Sequence, residues 1–168
     1  SNRNEDLLQR EADVAVRMER PAQEAIVARH AGTVRVGLYA HRRYIAAHGM
    51  PQTVEEALAH ALIGIDRDEG RIAGLSLGGH RLSRGHFSIR CDSDVAQLMA
   101  VKAGLGIGAC HLALAADDPA LVRVLPQAVA FDYAVWVAMH EDLRDTRRVR
   151  LVFDHLAAGL GAYARRGR

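Results

Sequence analysis

Phe87 to His111 reads FSIRCDSDVAQLMAVKAGLGIGACH, and this stretch decides the fold class. Phe87–Cys91 (FSIRC) is short and alternating, as a strand is. Asp92-Ser93-Asp94 then places three cap-forming side chains ahead of DVAQLMAVKAG, a helix that Gly104 stops. Ile107–Cys110 is a short buried strand, and Leu112–Ala116 reads as a further helical turn. A strand that returns through a helix to another strand is the building unit of an α/β fold.

Outward from this unit the alternation continues. Toward the N-terminus, Ala61–Ile65 (ALIGI) is a strand, and Asp66–Arg84 is rich in Gly, Arg and Ser and reads as weak hairpin strands. Thr53 begins a helix that runs to about His60, with Glu56 placed to complete a capping box. Arg42–His48 is a helical turn ended by Gly49 and Pro51. Thr33–Ala40 and Ala12–Met18 are strands, Ile26–His30 is ambiguous, and Asn4–Arg10 is a short helix. Toward the C-terminus, Leu121–Leu125 is a strand ended by Pro126, and Tyr133–Met139 is a long one. The last helix, from about Thr146 to Tyr163, sets Val149, Val152, Phe153, Leu156 and Leu160 on one stripe. The pattern predicts an α/β fold with mostly parallel sheets.

Composition narrows the function classes. The 168 residues are 49% hydrophobic, enough for a core without disulfides or metals. A formal net charge of +2 does not call for nucleic acid or an anionic membrane. Apolar runs break well short of the roughly 18 residues a membrane helix needs, so no membrane partner is expected. No secretory signal opens the chain, and Cys91 and Cys110 form no CxxC or metal spacing. Two reduced buried thiols in a cytoplasmic protein are the expectation.

Four motifs give way on their context. Gly104-Leu-Gly-Ile-Gly-Ala109 satisfies G-x-G-x-x-A, but a helix precedes it and a strand follows. The dinucleotide fingerprint needs the reverse, so no nucleotide cofactor is expected. The nine histidines lack HExxH or a close helical pairing, so no metal is expected. No serine sits in a G-x-S-x-G elbow. Arg144, Arg147, Arg148 and Arg150 alternate with Glu141, Asp142, Asp145 and Asp154, as on a solvated helix face. Asp92-Ser93-Asp94 stays open between two readings: a plain helix cap, or a strand-to-helix turn whose free N–H groups hold a small anion.

Four segments, in order, resemble the effector-binding domain of LysR-type transcriptional regulators. They are Glu11–Arg17; Tyr44-Ile-Ala-Ala-His-Gly-Met-Pro51 with Thr53-Val-Glu-Glu-Ala-Leu-Ala-His60; Ala103-Gly-Leu-Gly-Ile-Gly108; and Leu121–Pro126 with Val135–His140 and Arg147–Leu156. Each is weak alone, and together they span nearly the whole chain. The resemblance implies a two-lobed fold like type II periplasmic binding proteins. Lobe one would take 1–38 and 134–168, lobe two 39–133, with crossovers at Val36–Ala40 and Phe131–Val135. Lobe one would be incomplete, lacking the family's opening strand–helix–strand of about 45 residues. The winged helix-turn-helix head that binds DNA would also be missing. An open sheet edge would be left for a second chain. His41-Arg42 and Cys110-His111 replace the family's frequent Ser-Pro and Leu-Pro.

The function so implied is effector sensing without catalysis. A small molecule, best an organic anion, would sit between the lobes and alter promoter binding through a homodimer or homotetramer. Candidate effector contacts are Arg17, Tyr39, His41, Asp66, Asp92, Ser93 and His111. Arg17 reads equally as a bidentate carboxylate partner and as a lobe-bridging ion pair. A transporter's solute-binding protein would share the fold, and a pure dimerisation module would share the packing surfaces.

Overall fold

A computed structural model describes residues 12–127 and 131–166. The helix expected at Asn4–Arg10 lies outside the described residues. In chain order the elements are β1 (Val14–Arg17), β2 (Ile26–His41), α1 (Arg42–His48), α2 (Val54–Ala59), β3 (Leu62–Gly64) and α3 (Glu69–Ala73). Then come β4 (Ser76–Leu77), β5 (His80–Arg81), β6 (Phe87–Arg90), α4 (Asp94–Lys102), β7 (Ile107–His111) and α5 (Leu112–Ala116). The chain continues with β8 (Leu121–Val124), β9 (Phe131–His140) and α6 (Arg147–Arg166). It divides into two compact units, one of Val36–Phe131 and one of residues up to Arg35 together with Asp132 onward.

In the larger unit the strand order is β2-β7-β3-β6, with β8 along the other edge of β2. Period-2 alternation distributes its side chains between two faces. Tyr39, Ile63, Cys110 and Leu121 face one way and pack on Val101 and Leu98 of α4 and Ala115 of α5. Ala40, Leu62, Ile107 and Val124 face the other way, against Tyr44 of α1 and Leu58 of α2. Strands so covered on both faces read as nearly continuous apolar runs. Two glycines permit the close packing. A Cβ on Gly106 would stand 2.2 Å from the Ala61 carbonyl oxygen, and one on Gly108 2.7 Å from Val101.

In the smaller unit β9 lies between β1 and β2. Val137 and Met139 of β9 pack against Val149, Phe153 and Ala157 of α6, with Leu156 and Leu160 beside them, whereas Val152 of the expected stripe is 51% exposed. The helix and β2 meet through small residues: a Cβ on Gly32 would come within 2.6 Å of the Ala164 Cβ.

Three expectations are corrected. The ambiguous Ile26–His30 and the strand at Thr33–Ala40 are one 16-residue strand, because Gly32 lets it pass α6 without a break. Within Asp66–Arg84 the β4–β5 hairpin is present, but a helix, α3, precedes it. Asp68 caps that helix by accepting the Arg71 N–H at 3.0 Å, and Ile72 anchors it with 7% exposure. The sheet is not mostly parallel. Among the described residues β3 pairs parallel with β6 and β7, whereas β1–β9, β2–β7 and β2–β8 are antiparallel. Helices join parallel strands between β6 and β7, which flank β3, and in the run from β3 to β6. Elsewhere the chain folds back beside a long strand.

Among the described residues no helix is long and apolar enough to cross a membrane.

Candidate functional site

The exits from the parallel strands lie along one edge of the larger sheet. After β3 the chain passes to one face of the larger sheet, where Leu75 and Leu82 join the cluster with Tyr44. After β6 and β7 it passes to the other face, through α4 and α5. Neighbouring parallel strands whose connections leave on opposite faces open a gap at their carboxyl ends, the usual place for a ligand in open α/β sheets. Asp66 follows β3, Asp92 and Ser93 follow β6, and His111 ends β7, so this edge gathers four of the seven expected contacts.

Asp92 is an organiser of this edge. Its Oδ1 accepts the backbone N–H groups of Asp66, Arg67 and Asp68 at 3.0, 3.0 and 3.4 Å. These bonds hold its carboxyl below the ordinary 3.8, the Arg67 N–H contributing most, with burial opposing. Ser93 caps α4, its Oγ accepting the Ala96 N–H at 3.4 Å, and its own N–H points to Cys91 Sγ at 3.4 Å. The plain-cap reading of Asp92-Ser93-Asp94 is thus realised by Ser93, while Asp92 ties down the neighbouring loop.

Asp66 is surrounded by guanidinium groups. Arg84 donates from Nε and Nη2 to Asp66 Oδ1 at 3.0 and 2.8 Å, and from Nε to the Asp66 carbonyl at 3.0 Å. Arg67 Nε stands 3.5 Å from Oδ2 and Arg90 Nε 3.9 Å from Oδ1. Beside them Arg71 donates to Asp94 at 2.8 Å. The edge therefore sets four arginines, at 67, 71, 84 and 90, against the carboxylates of Asp66, Asp92 and Asp94. Burial lowers the pKa of His111, with Asp94 partly opposing, so its ring is neutral at physiological pH.

Tyr39 and His41 lie elsewhere in the larger unit, and Arg17 belongs to the smaller one. Tyr39 is 7% exposed and forms part of the core, where burial raises its pKa against the pull of Arg123. His41 is at the opposite edge from His111. Because β2 runs antiparallel to β7, Ala40 pairs with Ile107 and Val36 with His111, which puts the end of β2 beside the start of β7. His41 caps α1 there, its Nδ1 accepting the Arg43 N–H at 3.0 Å. Arg17 ends β1 in the smaller unit, opposite Trp136.

The arginines were not singled out from the sequence. Their only signal is the Gly-, Arg- and Ser-rich composition of residues 66–84, which carries no spacing rule. Among the described residues no group of three His, Cys, Asp or Glu side chains is placed to hold a metal ion.

The fold has close relatives among solved structures. The regulatory domain of CrgA, a LysR-type transcriptional regulator from Neisseria meningitidis, is 21% identical with a TM-score of 0.80. The match covers 92% of this chain and 78% of that one. Full-length AphB, the Vibrio cholerae virulence activator, is 23% identical with a TM-score of 0.70, covering 95% of this chain and 56% of that one. ArgP from Mycobacterium tuberculosis is 22% identical with a TM-score of 0.71, covering 91% and 54%. No curated protein sequence matches the chain. The LysR substrate binding domain matches residues 1–161, and the chain belongs to that family.

Proposed function

We propose that this chain senses a small organic anion for a LysR-type transcriptional regulator, with effector contacts at the carboxyl ends of β3, β6 and β7. The observation that carries the reading is the gathering of Asp66, Ser93 and His111 at the carboxyl ends of these strands, beside the guanidinium groups of Arg67, Arg71, Arg84 and Arg90. An anion gains from guanidinium groups carried on a loop that Asp92 ties down. Tyr39 and His41 act as packing and cap in this reading. Arg17 is proposed as an effector contact from the sequence resemblance alone.

The family is one of regulator domains and not a class of enzymes, and we take the chain to be non-catalytic. The chain spans 54–56% of full-length AphB and ArgP. DNA binding through a winged helix-turn-helix, a cytoplasmic location and assembly into dimers or tetramers belong to this proposal. For assembly, α4 presents Val95 at 69% and Met99 at 50% exposure, one turn apart, a face suited to a second copy.

A thermal-shift screen of the 168-residue chain against small carboxylates, aromatic acids and amino acids tests the reading. A true effector raises the midpoint by mass action, by about 2.7 kcal/mol at a hundredfold excess over its dissociation constant. The shift is expected to shrink in Ser93→Ala. If no compound in the panel shifts the midpoint, the sensor reading fails.

A further inference from the structure

We propose that the cavity between the loop after β3 and the β5–β6 connection is an oxyanion subsite, formed by Arg67, Arg81 and Arg84 with Asp66 as its built-in counter-ion. This deepens the sensing reading above and rests on it only in taking the anion to be part of the effector.

The cavity has a volume of about 530 Å³, within the size range of small-molecule sites. Arg67, Arg81 and Arg84 line it together with Asp66, Glu69 and Ser83. Apolar Ile72 and Leu82 complete the wall, so the site suits an anionic head on a small apolar body.

Charge is unevenly matched there. Asp66 Oδ1 takes Arg84 twice, and Arg67 and Arg90 also approach the same carboxylate. Three guanidinium groups bring far more N–H donors than two carboxylate oxygens can accept. Arg81 adds a further cation on the exposed rim. The carboxylate of Glu69 opposes the anion and limits the net excess. A planar oxyanion meets the guanidinium fork in the geometry that Asp66 already uses, so ligand and Asp66 compete for Arg84.

The supports of the site are fixed without ligand. Asp92 pins residues 66–68 by their N–H groups. Across the cavity His86 Nδ1 accepts the Ser83 N–H at 3.0 Å and stands 2.9 Å from Ser83 Oγ. Binding therefore needs side-chain exchange at Asp66 and Arg84 and no rebuilding of the backbone.

The test is calorimetric titration of the 168-residue chain with inorganic phosphate, succinate and benzoate at low ionic strength, where exposed charges are least screened. At least one of the three is expected to bind. Arg84→Gln and Arg81→Gln should each weaken it by about tenfold, as loss of a charge-assisted bond does. Asp66→Asn should tighten it by removing the competing carboxylate. Circular dichroism checks that each variant is folded. Binding that is unchanged in both arginine variants, or weakened in Asp66→Asn, overturns the subsite and leaves effector sensing elsewhere on the strand ends standing. Binding of none of the three also overturns the subsite, while the sensing reading is judged separately by the broader thermal-shift panel.

Discussion

A carboxylate that accepts several backbone N–H groups does for a loop what a cap does for a helix. Asp92 does this for residues 66–68, and its effect on stability has a definite sign. Its folded pKa lies below the ordinary 3.8, so the unfolded chain takes up a proton first as pH falls. The stabilisation is complete above the unfolded value and is lost as pH drops through the folded one. Asp92→Ala is therefore expected to melt below the parent near neutral pH. The gap between the two melting midpoints should close as pH falls through 3.8 and below. A gap that stays constant on acidification would show that the carboxylate is not the stabilising group. The residues legible at this scale are those with local partners: Ser93 bonds three residues along, and its cap can be read from spacing. Arg84 bonds 18 residues away in sequence, and no local pattern announces it.

At the scale of elements, tight approach decides more than propensity. Thr53 caps α2 as expected, accepting the Glu56 N–H at 3.2 Å. Glu56 reaches back one residue further than a capping box requires, to the Gln52 N–H at 2.7 Å. The turn between α4 and β7 depends instead on space. Gly104 adopts φ 71, the left-handed conformation of a helix stop, and Gly106 lies against the Ala61 carbonyl that accepts the Ile107 N–H at 2.9 Å. The methyl of Gly106→Ala has no flexible neighbour to push aside, because the obstructing atom is backbone. The substitution is expected to cost about 1–3 kcal/mol in urea unfolding. A neutral result would mean that the turn can relax. The run G-x-G-x-x-A is thus the helix stop and tight turn that its sequence context indicated, and the close approaches of Gly106 and Gly108 add a packing role. Helix α3 was not legible, because its five residues offer too few positions for a periodic signal and it depends on the cap at Asp68.

At the scale of the molecule, exposed apolar surface and charge say what the chain is built to meet. Met99 lies half exposed on α4, one turn from Val95. If that face packs on a second copy, Met99→Glu buries a charge at the interface and should shift the chain toward monomer in light scattering at high concentration. A parent chain that is already monomeric at that concentration would remove α4 as a self-association surface. Each unit carries its own apolar clusters, so the substitution should leave the core of the larger unit intact.

The α/β class, the main strands and helices and the family were determined by the sequence alone. These rest on local physics: period-2 and period-3.6 burial, caps a few residues from their helices, and glycines where a helix must stop. What only the tertiary structure decided is which ends of the strands meet. The antiparallel pairing of β2 with β7 sends His41 to the edge opposite His111 and buries Tyr39, whereas the parallel pairing of β3 and β6 gathers Asp66, Asp92 and their arginines. Strand direction is set by connections and packing summed over the whole sheet, and a linear pattern of residues carries it only indirectly.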